Sequence, residues 1–154
     1  MATTLQILES VVVRLQARLP QLAVEYFPER PAEYRVNHAV GALLVSYPGS
    51  NFAETVDVGC IAQPRTLKLS ITVMLRQLNG RGGAVDVLDV VRAALIGFRP
   101  PDCRKTKAVS EKFLGQVGGI WQYAVDFSTE AMQVEDVEPD NLPVLTTVTY
   151  EETP

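Results

Sequence analysis

The chain has 154 residues, 47% of them apolar and 21% charged, with a formal net charge of −4. This is the length of one domain with interior enough to fold without staples, and its composition is that of an ordinary globular protein. Mild acidity argues against a dedicated nucleic-acid binder, which gathers Lys and Arg against phosphate, and no apolar run approaches the roughly 20 residues of a membrane span, so neither specific nucleic acid nor membrane is an expected partner.

Cys60 and Cys103 lie far apart, without a CxxC pair and with His38 as the one histidine. That is too few soft ligands for zinc. The cysteines read as free thiols, with a single disulfide left open. The opening MATTLQILES lacks the basic-then-apolar order of a signal peptide, so the expectation is a cytoplasmic chain.

Residues 4–20 repeat apolar side chains at helical steps: Leu5, Leu8, Val12, Leu15 and Leu19. Thr3 or Thr4 can cap the start, and Pro20 ends the ladder. Within residues 21–37, LAVEYF reads as a short edge strand, since Pro28 and Pro31 confine strands to edges or ends. Residues 39–47 form an apolar run of strand length, and residues 48–59, beginning Pro48-Gly49, read as a polar loop.

Residues 66–78 alternate strictly. Leu67, Leu69, Ile71, Val73 and Leu75 share one face; Thr66, Lys68, Ser70, Thr72, Met74 and Arg76 share the other. NGRGG turns the chain into a helix over residues 84–98, with Asp86 and Asp89 near its positive end and Gly97 as its C-terminal stop. A basic loop and a less regular extended stretch, residues 108–117, precede a Gly118-Gly119 hairpin turn. The return strand places Trp121, Tyr123, Val125 and Phe127 on one face and Gln122, Ala124, Asp126 and Ser128 on the other. This order predicts one α+β domain over residues 4–135: a two-layer sandwich in which two helices pack on one face of a mainly antiparallel sheet of four to five strands. Residues 136–154 read as an acidic arm, either mobile or pairing as a strand with a neighbour through residues 145–150.

Chemical signatures are sparse. GRGG lacks the Lys and Ser/Thr of a phosphate loop and the third glycine of a dinucleotide site. No GxSxG elbow accompanies His38. Asp86 and Asp89 are three apart, as paired carboxylates are in acid–base or metal sites, yet the helix dipole accounts for them. The basic cluster Arg99, Arg104, Lys105 and Lys107 lacks interleaved aromatics and suits an acidic partner or solvent. Trp121 and Tyr123 read as core before ligand-stacking. No catalytic residue, cofactor or metal site is therefore assigned.

VGALLVSYPGSNF, LKLSITVMLRQLNGRGGAVDVLDVVRAALIGFRPP and SEKFLGQVGGIWQYAVDFSTEAMQVE together resemble the small tail proteins of Mu-like contractile-tailed phages and prophages, and more remotely the tail terminator of lambda-like phages. The resemblance runs from about residue 5 to residue 135 and is most specific at ALIGFRPP. It implies a tail terminator: a hexameric ring that caps the tail tube, stops its growth and offers a surface to a head-completion or connector protein. The setting implied is the bacterial cytoplasm during assembly, then a virion tail or tail-like particle. It carries no catalytic residues. The implied contacts fall on residues 48–59 and 77–83, giving Pro48, Asn51, Phe52, Asn79 and Arg81 as partner-binding candidates, with Arg76 just before the second stretch, Arg104, Lys105 and Lys107 from the basic loop and Tyr150 from the arm. The alternatives are a head–tail joining protein of the same particle, or a small ligand-binding domain or enzyme using His38, Asp86 and the aromatics.

Overall fold

We describe residues 1–136 of a computed structural model. The elements run α1 (Thr4–Arg18), β1 (Ala23–Tyr26), a 3-10 turn (Pro31–Glu33), β2 (Gly41–Phe52), β3 (Ala62–Leu75), α2 (Ala84–Leu95), β4 (Lys107–Val117) and β5 (Ile120–Val134). The strands form one sheet in the order β1-β2-β3-β5-β4. β1 runs parallel to β2 and every other pairing is antiparallel. Both helices pack into one core against one face, giving the two-layer α+β architecture.

The sheet is organised by β3 and β5, which stay in unbroken register from Ala62 opposite Val134 to Leu75 opposite Trp121. Alternation then does the sorting. Leu69, Ile71 and Val73 stand opposite Phe127, Val125 and Tyr123, and all point at the helices. α2 answers with Val87, Leu88, Val91 and Leu95, and α1 with Val11 and Leu15. Burying each such side chain contributes about 1.5–3 kcal/mol.

α1 begins with a reciprocal cap. The Thr3 hydroxyl accepts from the Gln6 amide at 3.1 Å, and the Gln6 side-chain oxygen accepts from the Thr3 amide at 2.9 Å. The face it buries is rotated from the one read off the period. Ile7, Val11, Val12, Leu15 and Leu19 are buried, whereas Leu5 is 58% exposed. This helix carries apolar residues around much of its circumference, so period alone sets its angle loosely.

Two further corrections concern β2. Residues 48–52 were expected in a loop, but β2 continues through Pro48 and Gly49 to Phe52. The register against β3 shifts between Ser46 and Gly49, and this bulge accommodates a proline that cannot donate to the ladder. The second face of the sheet is also not uniformly open. Leu44 points away from the helices yet is only 2% exposed. Around it the connection between β1 and β2 returns across that face: Tyr34 donates to Glu25 at 3.3 Å, and Tyr34 and Val36 share a groove with Met74 and Gln122. Arg76 holds this strap, donating to the carbonyls of His38 at 3.0 Å and Val36 at 3.1 Å.

Phe127→Ala is expected to lower unfolding free energy by about 3–5 kcal/mol in urea titrations, and Thr3→Ala by about 1 kcal/mol. Arg76→Ala should leave the core intact while speeding amide hydrogen exchange across residues 34–40, since the carbonyls it binds belong to that strap; unchanged exchange there would show that the strap holds without it.

Candidate functional site

The groups that could carry chemistry are each engaged locally. The His38 ring nitrogen Nδ1 accepts from the Val40 and Gly41 amides at 3.1 and 3.3 Å. Asp86 accepts from the Gly82 amide at 2.8 Å, closing the turn before α2. Asp89 pairs with Arg92, which also reaches Glu111 on β4. Trp121 and Tyr123 pack beside Phe113, with ring centroids 6.2 and 5.1 Å away. No group of three or more metal-ligating side chains occurs among the described residues. His38 and Asp86 are thus each bonded within their own turn, and none of these contacts links either of them to Trp121 or Tyr123.

What the fold does present is surface built for contact. β4 is an outer strand, and all but one of its 11 residues are exposed. Val109, Phe113, Leu114 and Val117 lie along it with large exposed fractions. A free edge leaves a row of backbone donors and acceptors unpaired. Two register shifts, between Ala108 and Ser110 and between Phe113 and Gly115, interrupt it, and Lys107 and Lys112 flank its apolar residues. Bulges and lysines restrict indiscriminate pairing, leaving an edge selective for a matching partner.

The second surface is the end of the sheet where β2, β3 and β5 project beyond the helices. Its base is tied by Arg65, which donates to Ser50 at 3.0 Å, the Tyr47 hydroxyl at 2.9 Å and Thr4 at 2.8 Å, with its guanidinium over the Tyr47 and Phe52 rings. Burial raises the Tyr47 phenol pKa, but the Ser50 and Arg65 hydrogen bonds and the Arg65 charge outweigh that and set it below the ordinary value. The loop at the tip, residues 53–61, is held by Thr55, whose hydroxyl accepts from the Ala62 amide at 3.0 Å. An Asp57 turn onto the Gly59 amide at 3.0 Å also holds it; that bond first, then the Cys60 thiol, lowers the Asp57 pKa. Val56, Val58 and Ile61 on this loop, with Met132 and Val134 of β5, are exposed. Cys60 and Cys103 are both free, Cys103 being buried; burial is the first cause raising each thiol pKa.

The expected contact residues divide between the two ends. Asn51 and Glu130 both stand opposite Thr66, and the Arg104 amide bonds the Glu130 carbonyl, so Asn51 and Arg104 lie on one row across the projecting end. Lys107 lies two rows further in, opposite Ser128, and Pro48 lines a groove with it. Phe52 is exposed beside Arg65, and Lys105 is exposed in the basic loop. Asn79 and Arg81 occupy the β3–α2 turn at the other end, where Gln77 bonds their carbonyls. Arg76 is spent on the internal strap. Tyr150 lies outside the described residues. The exposed apolar residues of β4 escaped the sequence reading because its two bulges break the alternation of the strand. Arg65 escaped because its partners come from α1 and β2, which only the fold brings together.

A family model described as Gp37 protein matches residues 11–152. Among solved structures, a chain of the "Virion of native gene transfer agent (GTA) particle" is similar with a TM-score of 0.50 at 18% identity, covering 84% of this chain and 91% of that one. At that identity the likeness is one of fold. No curated protein matches. The family match takes in all five strands and α2, and on that ground the chain belongs to the Gp37 protein family.

Proposed function

We propose that this chain is a structural component of a phage-like virion or tail-like particle, and within it the tail terminator, a ring that caps the tail tube, arrests its polymerisation and offers the opposite surface to a head-completion protein. The observation that carries this reading is the β4 edge, free among the described residues, with its exposed apolar side chains, beside chemistry-bearing side chains that are each engaged locally. A surface of that kind suits docking between subunits. A ring of identical subunits requires two different patches that meet head to tail and close by rotation. A long edge on one flank supplies one of them. The fold shared with a chain of a virion particle supports the setting. In this reading the apolar tip around residues 53–61 seats on the tube. The arm and the basic loop contribute to contacts between subunits. The role is one of assembly, without catalysis, cofactor or metal.

Electron microscopy of particles made without the protein tests the reading. Tubes of abnormal, uncontrolled length are the expected result. Tubes of normal length lacking heads would overturn it in favour of a head–tail joining protein. The tip has its own test. A Val56→Asp/Val58→Asp chain, altered only at exposed side chains, should keep its melting temperature within about 1–2 °C, since surface changes usually cost under about 0.5 kcal/mol. It should nevertheless fail to restore normal tube length; full restoration would remove the tip from the tube contact.

A further inference from the structure

The chain leaves the sheet at a place that constrains where its last segment can go. β5 runs on to Val134, opposite Ala62, whereas β4 begins its pairing six residues back, with Lys107 opposite Ser128. Residues 142–150, LPVLTTVTY, place Leu142, Val144, Thr146, Val148 and Tyr150 on one parity, a β-branched and aromatic pattern suited to a strand with one apolar face. We propose that this segment of one copy adds as an antiparallel strand to the β4 edge of a second copy. The inference deepens the ring reading and rests on it.

Three observations select this occupant. β4 pairs nine of its residues with β5, the length of the segment, and along it Phe113 is exposed on the helix face and Val117 on the other, with Val109 and Leu114 exposed at the bulges. Charge is complementary. Lys68, Lys105 and Lys107 form no salt bridge among the described residues, and Lys68 and Lys107 line one groove beside the start of β4. The segment is followed by Glu151 and Glu152, and the antiparallel sense brings that end of it to the start of β4. The third is reach. A strand antiparallel to β4 runs in the direction of β5, so on its own copy the segment would have to start near Ile120. The fourteen steps from Val134 back to Ile120 cover about 46 Å of sheet, and the six steps from Asp136 to Leu142 span only about 20 Å when fully extended. The copy's own edge therefore admits the segment only in the parallel sense, whose pairing is the less stable. Its own β5 offers little more than residues 130–134 before β4 takes that edge. A neighbour's β4, approached from outside, carries neither restriction.

Cysteine trapping in the full-length chain tests the arrangement. Thr147→Cys is combined in turn with Val109→Cys, Glu111→Cys and Phe113→Cys, in a Cys60→Ser background that leaves buried Cys103 in place, and each protein is oxidised after its fold is checked by circular dichroism. At least one pairing should yield a ladder of covalent multimers on a non-reducing gel, and adding Val148→Pro, which removes a strand donor, should abolish it. A bond closing within single chains, or no bond in any pairing, overturns the proposal. The ladder is read on purified protein and tube length on particles, so this inference and the terminator reading fail independently.

Discussion

The antiparallel pairing of β3 with β5 is the constraint on which the rest of the molecule depends. Fourteen consecutive residue pairs hold register without a bulge. Because side chains alternate, a slip of one residue would turn Phe127, Val125 and the β3 leucines to the wrong face and strand both helices. The pairing also exceeds the length that α1 and α2 can cover. The surplus, from Ala62 and Val134 inward, becomes the projecting end, so the feature that secures the core also generates the surface beyond it.

The outward parts of the sheet are finished differently at each place. At one end the strap from β1 to β2, held by Arg76, covers Leu44 and closes part of the second face. At the other, Arg65 joins α1, β2 and β3 beneath an exposed apolar tip. Along the flank, β4 stays uncovered among the described residues. Scattered single apolar residues on a surface need no explanation. Several gathered on an unpaired edge do, because backbone and side chains there can be satisfied together by one added strand.

Where local pattern and burial agree, the fold was legible in the sequence. The alternations of β3 and β5 and the helical period of α2 each report one buried face, and the α+β sandwich follows from them. The misreadings share a cause: tertiary context overrode a local signal. Pro48-Gly49 has turn chemistry, but the β3 neighbour keeps β2 running through it as a bulge. α1 has apolar residues enough for more than one docking angle, and the sheet chose the row through Ile7 and Val11. Arg76 is exposed, as its parity implies, while its bonds to the strap carbonyls come from tertiary structure that no local signal reports. The surface proposed for contact was the least legible part, because the two bulges of β4 erase its periodicity.

Assembly through the β4 edge is the central claim, and hydrogen exchange measured on the same protein free and incorporated in particles tests it most directly. The account predicts that β4 amides turned away from β5, which exchange quickly in the free chain, become strongly protected on incorporation, while core amides of β3 change little. Equal, rapid exchange along β4 in both states would contradict it.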